Sequence, residues 1–396
     1  MIANMQRHVT ARIRSLMAAK SNKVILVIGQ RQVGKTFELR RLQKTHPNTM
    51  YFDFEELGAR NIFKPDLATL ENIIGSKDSP KILLLDEIQH LDKSGSILKL
   101  IHDHFPQTKA IATGSASFLM LKNIGDSLYG RNQQLDMFPL TFREINQDME
   151  SGFSLGNYNK LLNKAKIEAQ INDFLIYGSM PQVFLAETRE AKIELLKNYV
   201  ASFLYKDIFE LEGIRLPEVF KRLLHLLALQ ISAEVNPNEL AQKLEVNRKT
   251  VVDYLGLCEK FKIIHILRAF SGKERKEITR NFKVYFTDLG IRNALIDNFI
   301  LPENRTDLGA MFENLVVNMF TWNMEYFGHP YNLFFWRSKN QAEVDLILVN
   351  NETGKLSPIE IKYGKIEKPS IAFSRLYKDK IETELAINKA NFWQYA

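Results

Sequence analysis

Apolar and polar positions divide the chain into two regimes. Residues 23–29 (KVILVIG) form an unbroken apolar, β-branched run that ends in glycine, the pattern of a buried parallel strand. The same pattern recurs at 49–54 (TMYFDF), 81–86 (KILLLD) and 109–114 (KAIATG), with helical stretches such as Thr36–Lys44 and Ser96–His104 between the runs. Strands alternating with helices predict a parallel α/β sheet covered on both faces. After Pro139 the pattern changes, and residues 143–230 read as long helices joined by short turns such as YGSMP at 177–181. Residues 237–258 read as two short helices about a tight turn, followed by strands at 263–268 and 282–287. From Asp307 the order is one helix, three strands, a helix and a last short strand. No repeat of 20–50 residues is visible, which argues against a solenoid or propeller.

At about 150 residues per domain, 396 residues predict two to four domains. The single cysteine, Cys258, excludes an internal disulfide framework and a cysteine-based zinc cluster, and its helical setting makes it a small core residue. No apolar run approaches the roughly 20 residues that span a bilayer. The first residues lack an apolar leader core. A soluble, cytoplasmic protein with no membrane partner is the expectation. Lysine and arginine exceed aspartate and glutamate by 53 to 46. Eleven basic residues between Lys243 and Lys283 face five acidic ones, so that segment carries nearly the whole excess. Clustered positive charge is the footprint of a phosphate-backbone contact, or else of a solvated face.

The most specific chemistry lies at Gly29-Gln30-Arg31-Gln32-Val33-Gly34-Lys35-Thr36, which fits GxxxxGK[ST] between a strand and a helix. Glycines let backbone amides curl around phosphate oxygens, and the helix N-terminus adds a positive dipole end. Lys35 would reach the β- and γ-phosphates of ATP, and Thr36 would offer its hydroxyl to Mg²⁺. Some fifty residues downstream, an apolar strand ends in Asp86-Glu87. Asp86 would hold Mg²⁺ directly or through water, and Glu87 would polarise the attacking water. Thr113 and Ser115 end the next strand, where a hydroxyl would sense the γ-phosphate or fix the water. Arg131, after Gly130, would stabilise transition-state charge in cis or across a subunit boundary of a homo-oligomer.

Taken in order, these segments together with FPLTFREI, IYGSMP, SFLYKDI, KVYFTDLGIRNAL, FENLV, AEVDLIL and IEIK resemble an AAA-type P-loop ATPase family whose members carry a DUF4143 region. The resemblance covers essentially the whole chain. It implies an ATPase domain over 1–140, a helical region over 141–230, a winged helix-turn-helix over 231–300 and a restriction-endonuclease-like α/β domain over 301–396. It also implies that Lys35, Thr36, Asp86 and Glu87 are the ATPase residues, that Ser115 is a sensor, and that Arg131 is the arginine of the family's Gly-Arg motif. The one departure, Phe37-Glu38 after Thr36, predicts a local packing change.

In the helix-turn-helix, Arg248, Lys249 and Thr250 open the second helix, where a recognition helix approaches DNA. The basic loop with Lys273, Arg275 and Lys276 resembles a wing. In the last domain, a helix bearing Glu313, a strand bearing Asp345 and the strand pair Glu360/Lys362 resemble the PD-(D/E)xK nuclease superfamily. There Glu313, Asp345 and Glu360 would hold a divalent metal and Lys362 would orient the water, with Glu343 as an alternative ligand. The expected function is an ATP-hydrolysing, DNA-associated ATPase coupled to metal-dependent cleavage. The alternative is a nucleotide-gated switch that docks a protein partner and carries an inactive nuclease-like tail.

Overall fold

The computed structural model describes residues 5–76, 81–115, 128–146, 157–207, 214–271 and 282–395. The chain forms two compact units, one of residues 6–138 with 260–262, the other of 139–259 and 263–396 with the first five residues.

The first unit is built on five strands: β1 (Val24–Gly29), β2 (Thr49–Asp53), β3 (Lys81–Asp86), β4 (Thr108–Ser115) and β5 (Asn132–Met137). They lie in the order β2-β3-β4-β1-β5, and every pairing is parallel. β1 is buried along its whole length, as its unbroken apolar run predicts. Because the strands are parallel, Gly29, Asp86 and Ser115 all end at one edge of the sheet. Helices α1 (His8–Ala18), α2 (Lys35–Thr45), α3 (Leu57–Ile62), α4 (Leu67–Ile74) and α5 (Ser94–His104) accompany the sheet. Leu70, Ile74, Ile97, Leu98 and Ile101 enter the same core as Leu26, Leu83 and Ala112. The departure at Phe37-Glu38 has a packing role. Glu38 is buried, pairs with Arg41 at 2.7 Å and accepts the Thr10 hydroxyl, which joins α2 to α1.

The second unit holds α6 (Phe142–Ile145), α7 (Asn157–Tyr177), α8 (Pro181–Leu185), α9 (Arg189–Tyr199), α10 (Pro217–Leu229), α11 (Pro237–Leu244), α12 (Arg248–Lys260), α13 (Leu289–Leu295), α14 (Leu308–Phe327) and α15 (Ile371–Leu376). Its strands are β6 (Glu234–Val235), β7 (Ile264–Ala269), β8 (Phe282–Phe286), β9 (Tyr331–Arg337), β10 (Glu343–Asn350), β11 (Leu356–Ile361) and β12 (Leu385–Ile387). All seven form one sheet, ordered β12-β11-β10-β9-β7-β8-β6. The sheet therefore crosses the boundary expected at residue 300. The join is a parallel pairing of Arg268 with Phe334 and of Ala269 with Phe335. α14 is apolar nearly all round, with Met311, Phe312, Leu315, Val316 and Met319 in the core.

Two of the segments quoted above, IYGSMP and FTDLG, meet here. The buried Asp288 caps α13 by accepting the Ile291 N–H at 3.0 Å, and its other oxygen accepts the Ser179 N–H at 2.7 Å. Gly178 has φ +70, and a Cβ there would come within 2.0 Å of Asp288 Oδ1. Gly290 faces Tyr177 so closely that a Cβ would lie 2.1 Å from its carbonyl oxygen. Burial pushes the Asp288 carboxyl up to about 6 against the pull of these backbone N–H groups. The two segments are a structural clasp.

Candidate nucleotide site

The loop after β1 is shaped from below. Gly29 lies where a Cβ would sit 2.4 Å from the Met137 carbonyl oxygen of β5, so only glycine fits. Gly34 turns the chain into α2 with φ 100, a left-handed conformation that glycine adopts freely. Arg7 is buried and donates to the Val33 carbonyl at 3.1 Å and to the Phe138 carbonyl at 2.7 Å, tying the loop to the end of β5. Sequence reading missed Arg7 because it belongs to no motif and lies 26 positions from Val33.

Lys35 is buried at the first turn of α2, and Thr36 beside it is exposed. The Lys35 ammonium donates to the carbonyls of Gly29 at 3.2 Å and Gln30 at 2.9 Å, and stands 4.0 Å from Glu87 Oε1. Burial lowers its pKa, although Glu87 and Asp86 oppose this. Gln30 and Val33 are buried within the loop, while Gln32 is exposed with φ 63 and Arg31 is half-buried.

Asp86, at the end of β3, is fully buried and doubly held. Tyr51 on β2 donates its hydroxyl to Oδ2 at 2.7 Å, and Thr113 on β4 donates to Oδ1. Thr113 also accepts the Glu87 N–H at 3.1 Å. The Thr113 hydroxyl is therefore engaged by the Asp86 carboxylate and the Glu87 backbone. The guanidinium of Arg40 covers the Tyr51 ring at 3.5 Å. Glu87 takes a left-handed conformation, φ 51, which turns it out of the line of the strand. Gln89 donates to Glu87 Oε2 and accepts the Ser115 N–H at 3.3 Å. Gln89 thus links the carboxylate expected to act on water to the residue expected to sense the γ-phosphate. No spacing rule singles out Tyr51 or Gln89; they are recognised only once β2, β3 and β4 are paired.

Arg131 lies elsewhere. It precedes β5, whose Asn132 is in register with Val24 at the start of β1, and its carbonyl accepts the Val24 N–H at 2.9 Å. The loop begins at the other end of β1, roughly 17 Å away at about 3.3 Å per residue. Its side chain pairs with Asp103 at 2.9 Å. The expectation that Arg131 acts in cis is corrected: strand register carries it away from its own loop. A role across a subunit boundary is untouched by this register.

The expected C-terminal site is assembled differently from a metal cage. Glu360 and Lys362 pair at 2.5 Å, Lys362 lies 3.3 Å from Asp345, and Asp345 also accepts the Ile361 N–H at 2.8 Å. Glu313 accepts from the ammonium of Lys283 at 2.8 Å and from the Tyr285 hydroxyl at 2.7 Å. Lys283 also pairs with Glu343 at 2.6 Å. Asp345 lies where the β9–β10 register shifts between Val344 and Ile347, a bulge of the kind that re-aims a side chain. Burial, aided by Asp345, pushes the Glu360 carboxyl up to about 7 despite Lys362. Burial likewise raises Glu313, with Lys283 opposing. Lys283 stays charged because Glu313, Glu343 and Asp345 outweigh its burial. Among the described residues no three histidines, cysteines, aspartates or glutamates are placed to hold a metal ion. Glu313, Asp345 and Glu360, the residues expected to hold a metal, are each engaged by a lysine, a tyrosine or a backbone amide.

In the helix-turn-helix segment, Val246 donates to the Ala241 carbonyl at 3.0 Å across a turn in which Glu245 has φ 57. Asn247 caps α12 by accepting the Thr250 N–H at 2.8 Å. Arg248 and Lys249 are exposed at its first turn. The basic cluster is smaller than its sequence count. Lys283 is buried, and Lys243 pairs with Glu239 at 2.7 Å. Lys273, Arg275 and Lys276 lie outside the described residues. No helix among the described residues is long and apolar enough to cross a membrane.

Comparison with known proteins agrees with this geometry. An AAA domain matches residues 21–146, and domains of unknown function DUF8612 and DUF4143 match 168–300 and 308–392. An uncharacterized protein of Methanocaldococcus jannaschii is 29% identical over 90% of this chain and 79% of its own. An uncharacterized protein of Mycobacterium tuberculosis is 25% identical over 93% and 76%. The fold is similar to that of a Walker-type ATPase of Pyrococcus abyssi, with a TM-score of 0.50 and 16% identity over 74% of this chain and 95% of that one. With the parallel sheet, the phosphate loop and the acidic strand end in place, the chain carries an AAA domain at residues 21–146 and a DUF4143 domain at 308–392, on a fold similar to that of a Walker-type ATPase.

Proposed function

We propose that the chain is an ATP hydrolase that works as a nucleotide-gated switch on DNA. One observation carries the reading: Lys35, Asp86, Glu87, Gln89 and Ser115 converge at one edge of the first unit's sheet. When bound, ATP with Mg²⁺ supplies the phosphoanhydride to be cleaved and a cation to neutralise its charge. The backbone of Gly29–Lys35 is the cradle for the phosphates, and Thr36 and Asp86 are the residues that would hold Mg²⁺. Asp86 keeps free lone pairs after accepting from Tyr51 and Thr113, which suits contact with a hydrated cation. The Lys35 ammonium would leave the carbonyls of Gly29 and Gln30 for the phosphates. Glu87, steadied by Gln89, would take the proton of the attacking water. Arg131 would serve a neighbouring subunit's nucleotide.

The order α10-β6-α11-α12-β7-β8 fits a winged helix-turn-helix, with Arg248 and Lys249 at the start of its recognition helix. DNA is the partner this favours. A second reading, docking of a protein partner with a non-cutting tail, draws support from the two lysines among the C-terminal carboxylates. The test is ATP turnover with and without linear, nicked and branched DNA, together with a salt titration of DNA binding by fluorescence anisotropy. Replacing Arg248 and Lys249 by glutamine should reduce the salt slope by roughly 1.8, about 0.9 per lost phosphate contact. An unchanged slope, with turnover indifferent to DNA, sinks the DNA reading in favour of the protein partner.

A further inference from the structure

We propose that Lys283 is a resident cation of the C-terminal carboxylate cluster, so that the DUF4143-type domain of this chain is held together by internal ammonium groups and takes no divalent metal there. The inference is independent of the ATPase reading.

Three elements meet at the Lys283 ammonium. It comes from β8, and its side chain is 4% exposed. It lies 2.8 Å from Glu313 Oε1 on α14 and 2.6 Å from Glu343 Oε1 on β10. A lysine rarely enters such surroundings unless its charge is matched, because leaving water is costly. Here two carboxylates match it, and the ring of Phe335 closes one side at 5.5 Å from the ammonium. The Tyr285 hydroxyl, two residues along β8, donates to the same Glu313 oxygen at 2.7 Å. Glu313 thus receives two donors from one strand.

The remaining carboxylates are matched the same way. Lys362 bridges Asp345 at 3.3 Å and Glu360 at 2.5 Å. Four carboxylates therefore face two ammonium groups, which together supply the charge of one divalent ion. The donor chemistry does not fit a metal as well. Mg²⁺ wants oxygen ligands at about 2.0–2.1 Å in an octahedral shell. An oxygen of each expected ligand, Glu313, Asp345 and Glu360, already faces an ammonium, and a dication added there would repel those ammonium groups at short range in a poorly screened interior. The disagreement with the nuclease resemblance lies in Lys283, which stands on the strand pair preceding this domain and outside the three-part carboxylate pattern.

The cluster also has mechanical work. Asn314, next to Glu313, accepts the Phe286 N–H and donates to the Phe286 carbonyl, both at 2.8 Å, and Asn318 donates to the same carbonyl at 2.9 Å. The polar side of α14 is thus bound to β8 by Lys283, Tyr285 and Phe286 in succession.

The test uses the full chain without nucleotide. Mn²⁺ is titrated by calorimetry, and thermal melts are run with Mn²⁺ and with EDTA. The wild type should show no Mn²⁺ site that depends on Asp345, and its Tm should not move. Lys283→Met keeps the apolar stem and removes the charge. It should gain Mn²⁺ affinity by at least tenfold and melt several degrees higher with Mn²⁺ than with EDTA. Adding Asp345→Asn should erase that gain. A wild-type Mn²⁺ site lost on Asp345→Asn would overturn the proposal, as would a folded Lys283→Met chain that gains nothing. If Lys283→Met fails to fold, Lys283→Met/Glu343→Gln restores the charge balance and should fold. Failure of that pair would overturn charge matching as the role of Lys283.

Discussion

Gln89 accepts the backbone N–H of Ser115 at 3.3 Å while donating its own amide to Glu87, so the end of β4 and the acidic end of β3 are connected through one side chain. A shift of the Ser115 backbone at the end of β4 on meeting a γ-phosphate would be passed through the Gln89 side chain to Glu87. Gln89→Ala should therefore leave ATP binding within about twofold and slow turnover roughly tenfold, a barrier change of about 1.4 kcal/mol. Glu87→Gln should be far slower, about a hundredfold or more, because the amide cannot accept the proton of water. Steady-state kinetics beside nucleotide-binding titrations separate the two effects. Equal turnover in Gln89→Ala and wild type would mean that Glu87 is positioned by its backbone alone.

Strand register carries Arg131 to the start of β5, away from the loop that follows β1. Arg131→Ala should bind ATP like the wild type and hydrolyse it poorly. Lys35→Ala should bind it at least tenfold more weakly. Mixing the two inactive proteins should recover activity, since one supplies an intact loop and the other an intact arginine. No recovery at any mixing ratio would remove Arg131 from the chemistry.

Gly178 and Asp288 are in contact without room for a methyl group, and Gly178 holds φ +70. Gly178→Ala combines a left-handed penalty with a backbone shift and should cost about 2–4 kcal/mol. Asp288→Asn replaces one acceptor oxygen by a donor facing a backbone N–H and should cost about 1–3 kcal/mol. Chemical denaturation monitored by circular dichroism measures both. A Gly178→Ala chain as stable as the wild type would show that the turn can rearrange.

Asp307 gives the chain an acid-sensitive joint. Burial opposes its ionisation, but hydrogen bonds from Arg305 and Arg292, with their charges, hold its carboxyl at about 2. The folded pKa lies below the ordinary value of about 3.9, so the stabilising contribution is present above pH 4 and is lost as pH falls toward 2. The site is partly exposed, which reduces the contribution to about 1–2 kcal/mol. Asp307→Asn should be less stable than wild type at pH 6 and approach it at pH 3. A gap that stays constant with pH would assign the loss to packing.

The nucleotide loop was legible because its chemistry is local: eight consecutive residues carry the glycines, the lysine and the hydroxyl. The strands were legible where they are apolar throughout, as in β1, β3 and β4. β5 was not recognised, because its sequence NQQLDM buries only Leu135 and Met137 and lacks an apolar run. α1 was missed for a similar reason, since its 11 residues bury only Val9, Thr10 and Ile13. The order of elements after Asp307 was read in full from alternating turns and apolar runs. Lys283 was misassigned to the basic surface. Thirty positions separate it from Glu313, and a count of charges cannot tell an inward lysine from an outward one. Arg7, Tyr51 and Gln89 share that difficulty: each acts through a partner that only the paired strands bring near.

The parallel pairing of β7 with β9 has a consequence for how the chain must be made. A sheet whose edge strands are β6 at residues 234–235 and β12 at 385–387 cannot be completed until residue 387 has left the ribosome. The five parallel strands of the first unit end at Met137 and can assemble much earlier. During the interval, the open edge of β7 beyond Arg268 and Ala269 offers unpaired backbone to any passing strand. A fragment ending near residue 300 would keep that edge permanently and should associate or precipitate. The second unit is therefore best expressed, permuted or fused with its C-terminal strands retained, and a reporter placed at residue 300 would mark the chain before its late-folding half has formed.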